Sequence, residues 1–451
     1  MSLYGAMITG ISSLDADSQA MSIYSSNIAN VNTVGYKDVE ANFSTLLTSM
    51  FGNEDNASVT ASGEQNITQQ GLLQSAGSPT DLAVTGNGFF CVSQSPSSTG
   101  AQYYTRAGDF TPDSAGNLQN GAGYYLMGWP TNASGVTTSG AQLTPINVSN
   151  LSGKAEATAN VTMQANLDSA STVDGSYTLG DMSGTPPNVT PDFSTTVNVY
   201  DSQGGTQPLT YNFIETAPNT WNYEVDYGGN ASNITPYAGL PTNLIAAGQI
   251  TFNSSGELAG VTNDPLPSGV GVAGTNIQFN IPWATTSPLY NSATPLGQPI
   301  ATNVGTIGST NGVTQFNSPS VATNTSVDGA LFGNLTGVTV DSNGFVTANF
   351  SNGLSEKIYQ VPLATFPNED GLSAENGDAY EASAASGSAA INAPNTGASG
   401  GIQSSELEGS TVDLATEFTN LITTQRAYSA SARIITTADT MLQTLEQLPS
   451  T

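Results

Sequence analysis

Apolar residues recur at helical spacing near both ends of the chain and at strand spacing between them. From Asp413 to Leu448 there is neither Gly nor Pro. Leu414, Phe418, Leu421, Tyr428, Ala432, Ile435, Ala438, Leu442 and Leu445 form a stripe in steps of three and four, with a polar gap at Gln425. That spacing predicts a helix with a seam close to a heptad. About 36 residues at 1.5 Å each make a rod of roughly 54 Å. Ser410 or Thr411 is placed to N-cap it, Asp413 and Glu417 suit the positive end of its dipole, and Pro449 marks its end. A rod with so narrow a stripe needs a partner helix. Residues 2–30 supply one: Leu3, Met7, Leu14, Met21, Tyr24, Ile28 and Val31 keep the same spacing, interrupted at Gly10 and Asp17. Asn32 and Gly35 favour the turn that ends it. Two core helices of one domain is the plain reading. Length and narrow stripes favour a terminal pair that docks with copies of itself.

Inside the helices the period changes to two. Residues 36–80 carry short apolar runs between polar spacers and predict an extended arm with a hairpin. Residues 380–410 are expected as its return, although the run from Glu381 to Gly401 has too few large apolar side chains to pack alone. From Asp81 onward, segments rich in Tyr, Phe and Val alternate with Gly, Asn and Asp. A turn signature recurs at Asp113–Gly116, Asp201–Gly204, Asn253–Gly256 and Asp341–Gly344, an Asx residue opening each turn and Gly closing it. Asp341–Gly344 also hints at a calcium loop but lacks the terminal Glu, so a hairpin is expected there.

The pattern predicts a mixed, mainly β fold in which antiparallel β domains are nested between long N- and C-terminal α-helices that pair as a coiled coil. The expected divisions are helices at 1–31 and 411–451, arm at 32–75 and 380–410, inner β domain at 76–154 and 312–379, and an inserted outer β domain at 155–311.

Charge narrows the function. The 451 residues include 35 acids and six bases, for a net charge of −29. Six cations cannot track a phosphate backbone, and an anionic membrane surface repels such a chain. No apolar stretch reaches the length of a membrane span, and no ordinary signal peptide is evident. The absence of histidine removes Ser-His-Asp and Cys-His nucleophile systems, the zinc-helix motif and the commonest transition-metal ligand. Cys91, the single cysteine, lies in the apolar run Gly88–Val92 and is expected as a small buried side chain. Gly86–Asn87–Gly88 lacks the third Gly of a dinucleotide fingerprint. Neither a phosphate-binding loop nor a nucleophile elbow appears, and the acids are scattered over expected turns. No enzyme, cofactor or metal site is therefore expected.

Ser26–Lys37, SNIANVNTVGYK, strongly resembles the N-terminal signature of bacterial flagellar rod and hook proteins. The segment from Ser410 to Leu445 resembles the closing helix of that family. DLAVTGNGFF, YTRAGDFTPDSAGNL and YYLMGW resemble its shared β domain, and YQVPLATFPNEDGLSAENGDAYEAS its return segment. Residues 155–311 match nothing beyond general β character, and an insertion this large resembles the hook-forming members more than the distal rod ones. The resemblance implies a helical tubular homopolymer acting as a universal joint between rod and filament. It also implies rod, hook-cap and hook–filament junction proteins as partners, and export without a cleaved leader through the flagellar type III apparatus to the cell exterior. The signature residues are Asn27, Ala29, Asn30, Thr33, Gly35 and Tyr36. Candidate polymerisation residues are Leu3, Met7, Leu14, Met21 and Ile28 with Leu414, Phe418, Leu421, Tyr428, Ile435, Leu442 and Leu445. The alternatives are a distal rod or junction component and, in another class, a secreted β-rich adhesin or carbohydrate-binding protein.

Overall fold

Four glycines set the hairpins. Gly116, Gly204, Gly256 and Gly344 each donate their N–H to the carbonyl of the Asx residue three positions earlier, at 2.9–3.0 Å. All four have φ between 78° and 84°, the left-handed region that glycine enters without a Cβ penalty. The Asx side chains at 113, 201, 253 and 341 each accept an N–H two residues on, fixing the turn before the strands pair. At Asp341 the same Oδ1 also accepts the N–H of Phe345, so backbone donors occupy it.

The computed structural model describes residues 3–49, 55–97, 100–132, 135–137, 142–149, 151, 153–184, 186–263, 276–292 and 297–446. These divide into two units. The first holds residues 1–151, 336–349 and 355–451, and the second residues 152–335 and 350–354.

The first unit contains both long helices, α1 (Leu3–Ala29) and α2 (Leu414–Glu446), which pack against each other. A two-stranded hairpin follows α1: β1 (Val39–Ser49) pairs antiparallel with β2 (Asp55–Gln65), and β2 lies along α1. Asp413 caps α2, its Oδ1 accepting the N–H groups of Ala415 and Thr416 at 2.8 and 3.1 Å. This corrects the expected cap at Ser410 or Thr411. Thr411 is held elsewhere, its hydroxyl bonded to the carboxylate and N–H of Asp38. Pro449 lies outside the described residues.

The β part of this unit is a 13-stranded sheet whose main path runs through 335–340, 345–350, 355–360, 125–130, 89–93, 102–105, 379–381 and 373–375. Its central strand, Phe89–Ser93, is buried along its whole length. Alternation sends Phe90 and Val92 into one core cluster, with Phe110, Leu126 and Leu363, and Phe89 and Cys91 into a second, with Tyr104, Phe366 and Tyr380. Burial pushes the Cys91 thiol up to about 12, as expected of a packed, unreactive side chain. The low-complexity segment is held by pairing: 390–392 lies against 363–365 and 401–404 against 82–85. Most of the expected arm return therefore belongs to the β part.

In the second unit, two five-stranded sheets share one core. One is an antiparallel meander through 193–200, 206–217, 220–227, 244–252 and 258–263. The other centres on 160–168, whose Val161, Met163, Ala165 and Leu167 face the core alternately. This strand pairs parallel with 301–303 and 313–316 and antiparallel with 321–327. Residues 312–335, expected in the inner domain, therefore sit in the second unit. The core-facing alternation of 160–168 needs partners on both edges, and 313–316 and 321–327 complete them. The parallel pairs depart from the expected all-antiparallel arrangement, because 301–303 and 313–316 reach this strand after the whole meander has intervened.

Two buried charge arrangements give opposite expectations. In the first unit, Glu408 is fully buried and its Oε1 accepts from Lys37 Nζ at 2.6 Å and from the N–H of Gly71 at 2.8 Å. Its Oε2 lies 3.4 Å from Arg106 Nη1. Glu408→Gln leaves two buried cations without their counter-charge, a loss of about 3–5 kcal/mol. Denaturant unfolding of the first unit is expected to show it, and a change below about 1 kcal/mol would refute this role. In the second unit, Asp226 is buried beside Glu224, and burial raises its carboxyl to about 6. Asn212 Nδ2 reaches one of its oxygens at 2.8 Å, while Oδ1 has no partner. A raised carboxyl favours the fold below its unfolded pKa, and that help fades as pH climbs through about 6. Asp226→Asn is therefore expected to stabilise the second unit at pH 7 by on the order of 2 kcal/mol, with the gain shrinking toward pH 4. A gain independent of pH in thermal melts would contradict this assignment.

Candidate assembly surface

The seam between α1 and α2 is built from small and polar residues. On α2 the buried positions are Glu417, Thr424, Ser431 and Ala438, one heptad apart. On α1 they include Gly10, Asp17, Ala20, Tyr24 and Asn27. Gly10 permits the closest approach: a Cβ there would meet Ile435 Cγ1 at 3.0 Å. Tyr24 lies beside Thr424 and Glu417, and Asn27 beside Glu417. Burial raises the Tyr24 hydroxyl and the neighbouring Glu417 carboxylate raises it further, while burial lifts Glu417 itself. These pairings set the helices antiparallel, with Gly10 level with Ile435 and Asn27 level with Glu417.

The large apolar residues of α2 lie mostly outside this seam. Leu414, Phe418, Ile422, Tyr428, Ile434, Met441 and Leu442 are each 38–52% exposed, and Ile11 of α1 is 55% exposed. Ala6, Ile434, Thr437, Ala438 and Met441 line a shallow groove of about 330 Å³ with Arg433 at its rim. Among the described residues no helix is long and apolar enough to cross a membrane, so a lipid span does not account for this face. Nor do three His, Cys, Asp or Glu side chains gather into a metal site among them.

The candidate polymerisation residues thus divide. Leu414, Phe418, Tyr428 and Leu442 are exposed, whereas Leu421 and Ile435 are half-buried, as are Met7, Leu14, Met21 and Ile28. The side chains of Leu3 and Leu445 lie outside the described residues. Ile11, Ile422, Ile434 and Met441 were not singled out by spacing. The stripe's spacing predicts one seam, although its members divide between the seam and the surface. Thr424 and Ser431, one heptad apart, were the available signal for the true inner face.

The signature segment forms a lock after α1. Asn27 Oδ1 accepts from Tyr36 Oη at 3.0 Å and from the N–H of Val39 at 3.1 Å, while its Nδ2 donates to the Val39 carbonyl. Thr33 Oγ1 donates to Asn30 Oδ1 at 3.1 Å. Gly35 has φ 72°, and a Cβ there would lie 2.7 Å from the Ala107 nitrogen. Its N–H donates to the Glu408 carbonyl at 2.8 Å. Ala29 is exposed. Lys37, buried beside these residues, also donates to the Gln69 carbonyl. Burial pulls its pKa down, and Glu408 pulls it back up. Neither Lys37 nor Glu408 was singled out as functional from sequence, since a pair separated by 371 positions leaves no local pattern.

Family models match four stretches. Residues 7–37 match the model described as Flagella basal body rod protein, and 83–171 match Flagellar hook protein FlgE/F/G D1 domain. Residues 166–330 match Flagellar basal body protein FlaE D2 domain, and 403–448 match Flagellar basal body rod FlgEFG protein C-terminal. The chain is 32% identical to the flagellar hook protein FlgE of Caulobacter vibrioides, covering 99% of both chains. It is 32% identical to that of Rhizobium meliloti over 99% of this chain and 100% of the relative. With the Salmonella typhimurium protein the identity is 30%, over 97% and 98%. The crystal structure of the Helicobacter pylori flagellar hook protein FlgE2 aligns over 74% of this chain and all of that one, at 13% identity and a TM-score of 0.45. With identity of about a third running end to end through signature, β units and closing helix, the chain belongs to the flagellar hook protein FlgE family.

Proposed function

We propose that this hook structural subunit assembles through the outward apolar faces of α1 and α2 into a helical tube that transmits torque between rod and filament. The observation that carries this reading is a helix seam made mostly of small and polar residues, which leaves Leu414, Phe418, Ile422, Tyr428, Ile434, Met441 and Leu442 at the surface. An exposed apolar face of this extent marks a protein contact. Contacts between unlike faces that do not close into a ring give an open helical polymer. The polymerisation set is Leu3, Met7, Leu14, Met21, Ile28, Leu414, Phe418, Leu421, Tyr428, Ile435, Leu442 and Leu445, extended by Ile422, Ile434 and Met441.

In this reading the helices are the layer through which copies pack, and the hairpin of β1 and β2 is the connecting arm. The rod, hook-cap and hook–filament junction proteins are its neighbours in the flagellum, and the flagellar type III apparatus exports it. Ser, Thr, Asn and Gly on the β surfaces suit sliding between neighbours, because each polar contact is weak and replaceable.

Salt-induced assembly of the full chain, followed by electron microscopy and pelleting, tests the reading. The wild-type chain is expected to form short curved tubes. Phe418→Asp, on the exposed face, is expected to abolish assembly, since an unpaired charge buried at an interface costs several kcal/mol. Its monomer melting temperature should stay close to wild type. Leu421→Asp, half-buried against the seam, should abolish assembly and also loosen the helix pair, seen as lost helical circular dichroism. Unimpaired tubes from Phe418→Asp would overturn the assignment of this face.

A further inference from the structure

Among the described residues, neither of the two exposed arginines of α2 has an acidic partner. Among the described residues the ion pairs are those of Lys37 and Arg106 with Glu408. Arg426 and Arg433 stand one heptad apart on the outer face of α2, bracketing a groove of about 560 Å³ lined also by Ile422, Gln425 and Ala430. In a chain of 35 acids and six bases, a cationic stripe in a groove that also holds Ile422, Gln425, Ser429 and Ala430 selects an acidic, partly apolar occupant.

α1 carries that complement. Asp15 is exposed, its carboxylate engaged among the described residues by Gln19 at 3.4 Å, and Ile11 is exposed one turn away. The antiparallel register puts Asp15 level with Ala430, within about 6 Å along the axis of both Arg426 and Arg433. The same register puts Ile11 level with Ile434, which is likewise exposed. A second copy standing alongside at nearly the same height therefore brings acid to base and isoleucine to isoleucine together. A contact of α2 with α2 matches less well, because Asp439 stands about 9 Å beyond Arg433 along the axis.

We infer that the Arg426–Arg433 groove of one copy receives the Ile11–Asp15 face of α1 from a laterally adjacent copy, and that this ion pairing sets the height at which neighbours dock. The inference rests on the assembly reading above and names the mating faces within it. Two measurements on the full chain test it. Asp15→Arg is expected to raise the critical concentration for assembly at least about tenfold, because like charges meet in the groove. Asp15→Arg combined with Arg426→Asp and Arg433→Asp is expected to return it to within about threefold of wild type. Disulfide trapping provides geometry independent of energetics, and the buried Cys91 leaves no competing accessible thiol. Asp15→Cys protein mixed with Arg426→Cys or Arg433→Cys protein should give covalent dimers on oxidation in the assembled fraction and none below the critical concentration. Asp439→Cys with Arg426→Cys should give none. Unchanged assembly of Asp15→Arg, failure of the triple variant to recover, or dimers only through position 439 would overturn the inference while leaving a tube-forming wild type intact. If the wild-type chain forms no tube, the assembly reading itself falls.

Discussion

Glu408 joins parts of the first unit that sequence keeps far apart. Its carboxylate holds Lys37 behind α1, the N–H of Gly71 beyond the hairpin and Arg106 in the β sheet, and its carbonyl holds Gly35. Burying three charged groups is costly, and such clusters add little net stability over apolar packing. What this one supplies is geometry. The contacts to Lys37 and Gly35 tie the signature loop, and with it the end of α1, to the β part. Arg106 adds a second constraint by lying 4.9 Å from the centroid of Phe89, a ring buried in the sheet's core. Force applied to the helices can reach the β part through this joint, which sits beside the short pairing of 73–75 with 406–408.

The helix pair follows a different logic. A self-sufficient coiled coil places Leu and Ile in its seam and charge outside. Here the seam holds Gly10, Ala20, Thr424 and Ser431, and Phe418, Ile422 and Ile434 face outward. The inner contact is therefore close but weak, and most of the hydrophobic gain is left for contacts with other copies. Two constraints meet in one sequence. The pair has to be thin enough to fit several neighbours, and it must not complete its burial alone. Buried polar groups in the seam, Tyr24 beside Thr424 and Asn27 beside Glu417, occupy the interface while adding little apolar area.

Much of the architecture could be read from periodicity and turn chemistry. Two helices, a hairpin, Asx-Gly turns and alternating strands such as 160–168 were all legible, because each is specified by residues within a few positions of one another. Three features were not. The inner face of α2 was misplaced because large apolar residues dominate a pattern search while the small residues that touch α1 do not. The strands at 313–316 and 321–327 were assigned to the wrong unit because strand pairing across some 150 positions has no local signature. Glu408 was invisible for the same reason. The N-cap of α2 lies two or three residues beyond the expected Thr411 or Ser410, since all three are competent caps and Asp413 is the one whose carboxylate takes the first-turn N–H groups while Thr411 is bound to Asp38.

The placement of the few cations ties these observations together. With a net charge of −29, each copy repels every other over the short distances of an assembly, and salt only partly screens this. Of the six bases, Lys37 and Arg106 are enclosed with Glu408, and Lys357 lies 3.9 Å from the centroid of the Phe345 ring. None of these three is presented on the helices. Arg426 and Arg433 are, in the layer where copies would come closest and where long-range repulsion is hardest to escape. A cation there lowers the local potential for any approaching acidic surface, but only a neighbour whose acid lies at matching height gains the full interaction. The same two residues thus oppose general repulsion and discriminate among axial positions of the neighbour. Random placement of two arginines would do the first without the second.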